Sequence, residues 1–255
     1  MILSAVVVAQ DEEARLAPCL ASLAFADELL VVDGGSRDGT VALAERHGAR
    51  VVHHAWRGWA AARERGRVEA RGKWILAVDA DERVSEPLAA EVRARIGAAP
   101  ADVDAYSIPI KTFYRDRWLR HGGFWPARRV RLYRRARARY PEDREVHERV
   151  AVEGRVEALA EPLEHRSFAS FGEALRRVER YSTVAAAGLA ARGERAGVLR
   201  IAGHATARFL RGYVLRGGFL DGVPGLWFAA LGGYEALAKY AKLWEAGSER
   251  EGNAP

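Results

Sequence analysis

The strongest constraint on how this chain can fold is the alternation of short apolar runs with helical patterns over its first hundred residues. Ser4–Ala9, Leu29–Asp33, Arg50–His53 and Trp74–Val78 each read as a strand. Between them, Glu12–Ala24, Thr40–His47 and roughly Trp59–Ala70 carry helical spacing, with Leu16, Leu20 and Leu23 on one face of the first. Asp38 stands where a helix cap is wanted, and Gly48 where a glycine follows a helix end. Gly72 closes the third helix, and Pro87 opens a fourth that runs to Ile96. Parallel neighbours need a crossover long enough to hold a helix. This spacing therefore predicts an α/β fold with a mostly parallel central sheet flanked by helices.

The chain has 255 residues, 49% of them hydrophobic, enough for a sizeable core. Charged residues make up 29%, mixed in sign, which argues against long disorder. The single cysteine, Cys19, excludes an internal disulfide framework and sits in an apolar helical pattern, as a buried thiol would. The segment Met1–Val8 lacks a basic leader region and is soon followed by Asp11, Glu12 and Glu13, so it reads as a first strand. No run approaches the ~18 apolar residues of a spanning helix. The expected compartment is the cytoplasm, at a membrane surface.

From Asp104 to about Glu164 the pattern changes to short β-like runs, Ala105–Ile110, Val130–Tyr133 and Arg149–Val152, which predict antiparallel edge structure carrying loops. From Ser170 onward three helical pieces follow: Phe171–Arg192, Gly197–Arg216 and Gly225–Glu245. The net charge is +6 and unevenly placed. Between Lys111 and Arg139 stand ten arginines with Asp116 as the one acid. Such a stretch suits an anionic partner or a solvated arginine-rich surface. The last helices interleave Phe209, Tyr213, Phe219, Trp227, Phe228, Tyr234, Tyr240 and Trp244 with basic residues, as a helix lying in a membrane interface does. Helix packing is the alternative.

Two strand ends carry the chemistry. Trp74–Val78 runs into Asp79-Ala80-Asp81-Glu82. Alternate positions of an extended chain share a side, so Asp79 and Asp81 would converge on one divalent cation, Mg²⁺ or Mn²⁺. The second strand ends in Asp33-Gly34-Gly35-Ser36-Arg37-Asp38-Gly39-Thr40. An aspartate there can meet a base or a ribose, and the glycines permit a tight turn. Neither GxGxxG nor GxxxxGK[ST] occurs, which weighs against dinucleotide and P-loop folds.

These segments, with Ala9-Gln10-Asp11-Glu12-Glu13, resemble the family 2 glycosyltransferases of the GT-A fold. Further along, His121-Gly122-Gly123, Val130–Arg135, Val146-His147-Glu148, Leu163-Glu164-His165, Gly218–Gly222 and Lys239–Leu243 are similar to the lipopolysaccharide core β-glucosyltransferase-like branch. The resemblance implies a GT-A catalytic domain over 1–165. Its nucleotide-sugar half would be 1–100 and its acceptor side 101–165. A helical extension over 166–247 and a frayed tail over 248–255 would follow. It implies an inverting transfer of a hexose from a nucleotide sugar, UDP-glucose foremost, to a glycolipid or lipopolysaccharide-core-like hydroxyl, at the inner face of the cell membrane. Ala9, Asp11, Glu12, Asp33, Arg63 and Asp79 match the nucleotide-binding positions, and Asp81 the metal-binding carboxylate. Glu64 stands where the family pattern asks for asparagine.

A one-step inversion needs a base on the acceptor hydroxyl, and a metal or an arginine on the leaving diphosphate. Glu148 is the first candidate base, with Asp143 and Glu142 behind it. His121, Arg131, His147 and His165 are candidate acceptor or phosphate contacts, with a structural role favoured for His165. Two other readings compete. A sugar-1-phosphate nucleotidyltransferase would carry a glycine-rich basic loop where Gln10–Glu13 stands. A non-enzymatic basic protein would bind anionic lipid or nucleic acid with affinity falling steeply in salt. The transferase reading expects no nucleic-acid partner.

Overall fold

The structure, a computed structural model, describes residues 1–141 and 150–252, with side chains through 247. The strands are β1 (Leu3–Ala9), β2 (Glu28–Asp33), β3 (Arg50–His53), β4 (Trp74–Asp79), β5 (Glu82–Val84), β6 (Val103–Tyr114), β7 (Arg117–Trp118), β8 (Ala127–Arg134), β9 (Ala138–Arg139), β10 (Ala151–Val152), β11 (Arg155–Ala158) and β12 (Leu163–Phe168). The helices are α1 (Glu13–Ser22), α2 (Thr40–Arg46), α3 (Trp59–Glu69), α4 (Glu86–Gly97), α5 (Phe171–Ala191), α6 (Val198–Leu210) and α7 (Val223–Gly252). The chain divides into two compact units: Met1–Lys111 with Ala127–His165, and Thr112–Pro126 with Arg166–Pro255.

In the first unit the sheet runs β3-β2-β1-β4-β8-β6-β12-β5. The first four strands are parallel, as their spacing predicts. Beyond β4 the sheet turns antiparallel: β8 pairs with β4 and β6 with β8. The sheet is therefore mixed. The segment expected to form edge structure lies well inside it, because the long β6 is apolar enough to be buried along most of its length. The short β5 and β12, unforeseen from the sequence, pair antiparallel at the far end.

Period-two alternation along β1 divides the core into two layers. Leu3, Ala5 and Val7 pack with Leu16, Leu20 and Leu23 on one side. Val6 and Val8 pack with Leu30, Val32, Ala62 and Tyr133 on the other. Each fully buried leucine of this kind contributes about 1.5–3 kcal/mol. Helix α3 comes close to the sheet at Gly66, where a Cβ would stand 2.5 Å from Val6 Cγ1.

Most arginines of the basic stretch that lie in this unit serve the fold. Arg128 donates to the carbonyls of Ser107 and Leu159, Arg134 to those of Val103 and Pro100, and Arg135 to that of Gly72. Arg137 pairs with Glu153. Guanidinium groups, with five donors each, bond backbone carbonyls in and around the strands.

In the second unit α7 packs against both α5 and α6. Lys242 Nζ joins α7 to α5 through Glu179 Oε1 at 2.6 Å and the hydroxyls of Ser182 and Thr183. Tyr114, Phe124, Phe168, Phe171, Trp227 and Phe228 form an aromatic cluster with ring centroids 4.8–5.7 Å apart. Tyr240 is buried against His204, and Phe209 stacks on Tyr213. Several aromatic residues expected at a membrane face are thus engaged in packing.

Candidate active site

The strand order places the chemistry. β1, β2 and β3 step one way across the sheet and β4 lies on the other side of β1, so the order reverses between β1 and β4. Open α/β sheets bind ligands at the carboxyl ends of the strands flanking such a reversal. The register sets Ala9 opposite Asp33 and Val8 opposite Asp79, bringing three predicted site positions to one sheet edge.

The loops after β1 and β2 are tied together. The Asp11 amide donates to Ser36 Oγ at 3.0 Å, and Asp11 Oδ1 accepts from the Arg37 amide at 2.7 Å. The Glu12 amide donates to Thr40 Oγ1, and Glu13 accepts from the Gly39 amide. Asp11 has φ 54°, the left-handed region that aspartate tolerates better than most residues. Asp38 accepts from the Thr40 amide and hydroxyl at the start of α2, close to the cap its position suggests.

Asp33 is buried within this frame. Its carboxylate accepts from the amides of Gly35 and Ser36 at 3.0 and 3.1 Å and from His53 Nδ1 at 3.1 Å. Burial pushes its pKa up, but hydrogen bonds from Ser36, His53 and Gly35 outweigh it and hold the carboxyl below its ordinary range. Asp33→Ala would leave these donors without their acceptor, for a loss of about 2–4 kcal/mol. A lowered carboxyl stabilises fully above its unfolded value of about 4, and the effect is lost as pH falls through the folded value. Thermal unfolding of wild type and Asp33→Asn should therefore converge in acid. A gap independent of pH would show that the charge contributes nothing.

Asp79 ends β4 between two arginines. Arg63 Nη2 donates to its Oδ1 at 2.7 Å, and Arg131 Nη2 to its Oδ2 at 2.6 Å. Burial opposes ionisation, but Arg131 and Arg63 prevail and hold this carboxyl far below the ordinary range. Arg131 Nη2 also reaches Glu82 Oε1 at 2.6 Å, while Glu82 Oε2 accepts from the Asp79 amide at 2.8 Å. The Glu82 side chain is 0% exposed. Burial pushes its carboxyl up against the pull of Arg131, and the Asp79 charge adds to the rise. Cys19, buried nearby with Sγ 3.4 Å from the Asp79 carbonyl oxygen, has its thiol pushed up by burial and by the carboxylates. It stays a protonated structural thiol.

Asp79 and Asp81, expected to converge on one cation, have different protein partners. The chain turns at Ala80 and Asp81 before β5, so period-two alternation stops applying at Asp79. Asp81 instead faces His165 of β12, with Nε2 3.3 Å from its carboxylate. Burial lowers the His165 pKa, but Asp81, Glu82 and Asp79 together raise it above the ordinary imidazole value. Among the described residues no three His, Cys, Asp or Glu side chains are grouped as a complete metal cage. A single carboxylate such as Asp81 fits an ion that takes its other ligands from phosphate and water.

Glu64, at the departure from the family pattern, has an internal task. It chelates Arg67 at 2.6–3.0 Å and accepts from the Tyr140 amide. Trp56 is exposed, meets Trp59 edge-on at 4.9 Å and lies against Gly34, where a Cβ would stand 2.7 Å from its ring. His121 belongs to the second unit, where its Nδ1 lies 2.9 Å from the buried Asp221. Glu142, Asp143, His147 and Glu148 lie outside the described residues. The sequence reading assigned no role to Glu82, His53 or Trp56. Glu82 was visible beside Asp81, but nothing local marks its pairing with a residue 49 positions away.

The family model of glycosyl transferase family 2 matches residues 4–152, more than half of the chain. The chain belongs to glycosyl transferase family 2. This glycosyltransferase is 29% identical over 254 residues to the lipopolysaccharide core biosynthesis glycosyltransferase LpsC of Rhizobium meliloti (strain 1021), covering 95% of this chain and 92% of that protein. It is 28% identical over 254 residues to an uncharacterized glycosyltransferase of Rickettsia bellii (strain RML369-C), covering 95% and 86%. Among solved structures, S. aureus TarS 1-349 is 16% identical with a TM-score of 0.49, covering 99% of the transferase and 92% of that chain.

Proposed function

We propose that this family 2 transferase moves a hexose from UDP-glucose or a related UDP-hexose to a hydroxyl of a glycolipid or lipopolysaccharide-core-like saccharide. The observation that carries the reading is the group at the ends of β4, β5 and β12, set on a sheet edge where a nucleotide can bind. The likeness to the Rhizobium lipopolysaccharide core biosynthesis glycosyltransferase supports the acceptor class. Ala9, Asp11 and Glu12 frame the nucleotide loop, Asp33 braces it, and Trp56 offers an aromatic face to the base.

In the proposed reaction the bond from the anomeric carbon to the β-phosphate oxygen breaks, and its electron pair leaves with the diphosphate. The acceptor oxygen bonds from the opposite ring face, and its proton passes to a carboxylate. Glu148 is proposed as that base, with Asp143 second. Around Asp79, Arg63, Arg131 and His165 are paired with the carboxylates of Asp79, Asp81 and Glu82. Asp81 would hold Mg²⁺ or Mn²⁺, which would supply positive charge to the leaving group when bound. Arg63 and Arg131 keep Asp79 ionised and fixed in place. Among the described residues no helix is long and apolar enough to cross a membrane. We place the enzyme peripherally on the inner membrane face, where a lipid-linked acceptor is presented.

Titration calorimetry with UDP and UDP-glucose, with and without Mn²⁺, tests the donor. Metal-dependent binding of UDP supports the reading. Binding of a different nucleotide alone would replace the donor, and binding of none would sink the transfer mechanism proposed here.

A further inference from the structure

We infer that the turn from Leu210 to Leu226 is a membrane-docking tip that inserts into an anionic phospholipid interface. Within the second unit, α6 runs into a π-helical stretch, Arg211–Leu215, then a 3-10 turn, Gly218–Asp221, and then α7. Large apolar side chains face solvent along this turn: Leu215 is 80% exposed, Val223 60%, Leu220 59% and Phe219 52%. Val214, Leu210 and Leu226 are exposed beside them. A helix end with nothing to bind would carry polar residues here, because each such leucine gains by leaving water.

The tip is built rather than loose. Asp221 is buried and accepts from the amides of Arg120 and His121 at 3.0 and 2.8 Å and from His121 Nδ1 at 2.9 Å. The Gly122 amide donates to the Arg216 carbonyl at 2.9 Å. Gly217 and Gly222 both have φ 65°, a conformation that glycine adopts freely. A Cβ on Gly218 would stand 2.7 Å from the Gly212 carbonyl oxygen. The apolar side chains are thus held out on a fixed loop, which lowers the ordering cost of docking.

Charge complementarity identifies the occupant. Arg117, Arg120, Arg211 and Arg216 are exposed on the turn or on the loop it is bonded to. Arg117 lies beside Gly222, and Arg216 beside Gly123. Of the carboxylates on the turn and that loop, Asp221 is buried against His121, and the exposed Asp116 is paired with Arg166. Exposed leucine, valine and phenylalanine ringed by arginine match a bilayer interface rich in anionic headgroups. Peripheral attachment needs both an apolar and a cationic contribution, and both are present. The inference concerns a surface of the second unit and is independent of donor and acceptor identity.

The test is cosedimentation of the full chain with phosphatidylcholine vesicles and with vesicles that also contain phosphatidylglycerol. Wild type should bind the anionic vesicles and release in high salt. Leu215→Ser with Leu220→Ser should weaken binding by about tenfold for each leucine. Arg117→Gln with Arg211→Gln should remove the preference for anionic lipid. An unchanged unfolding midpoint shows that both variants are folded. Absence of vesicle binding by wild type, or binding indifferent to the two leucines, overturns the inference. Light scattering that shows a dimer abolished by the leucine pair, with no vesicle binding, overturns it too and assigns the face to a second copy of the chain.

Discussion

Replacing Arg131 by methionine is expected to destabilise the protein by about 3–5 kcal/mol, the cost of breaking a buried ion pair from one side. The Arg131 side chain is 10% exposed, and one nitrogen bonds both Asp79 and Glu82 at 2.6 Å. Methionine fills similar volume, so the loss is electrostatic rather than a cavity. Asp79 would keep Arg63, and Glu82 would keep the Asp79 amide. Lysine should restore part of the loss. It returns the charge but not the planar fork that reaches two carboxylates. Arg137→Met is the comparison, because Arg137 and Glu153 form an exposed pair worth about 0–1 kcal/mol. Urea unfolding with a constant slope provides the measurement. A loss below about 1 kcal/mol for Arg131→Met would show that water reaches Asp79 and Glu82 and that the arginine is replaceable.

The second large effect is expected in rate rather than stability. Asp81→Asn should lower transfer by about 10²–10³-fold, because it weakens the hold on the cation proposed to stabilise the leaving group. Its side chain contacts His165 at 3.3 Å, so the fold should lose only about 1–2 kcal/mol. Added Mn²⁺ should recover some activity if affinity for the ion is what the substitution removes. The fall should appear in kcat as well as in donor binding, because charge builds on the diphosphate as the bond breaks. Initial rates with UDP-glucose, read as transfer to a lipopolysaccharide-core acceptor or as slow donor hydrolysis, give the answer. A variant within about tenfold of wild type would remove Asp81 from the reaction centre.

The contrast between these variants separates two kinds of residue that the sequence shows side by side. Asp79 and Asp81 look equivalent in Asp79-Ala80-Asp81, and extended geometry would point both at one ion. In the fold, Asp79 is held between Arg63 and Arg131 while Asp81 turns toward His165. Asp33 divides in the same way. Its place at a strand's carboxyl end was legible, but its bonds to Gly35, Ser36 and His53 were not. The basic stretch before Arg139 looked like a single surface. Strand pairing instead directs Arg128, Arg134 and Arg135 to backbone carbonyls and Arg131 into the interior.

By itself the sequence determined the parallel half of the sheet, the helices between its strands, and the positions of Asp33 and Asp79 at strand ends. Those features follow from the local periods of two and 3.6 residues and from turn chemistry within a few positions. Tertiary structure alone decided that β6 and β8 enter the sheet beside β4. It also decided that Glu82 meets Arg131, that Asp81 meets His165, and that Leu215 and Leu220 face water. Those outcomes depend on which distant segments pair and on which side chains find a partner of opposite charge when buried, and no local pattern along the chain records either.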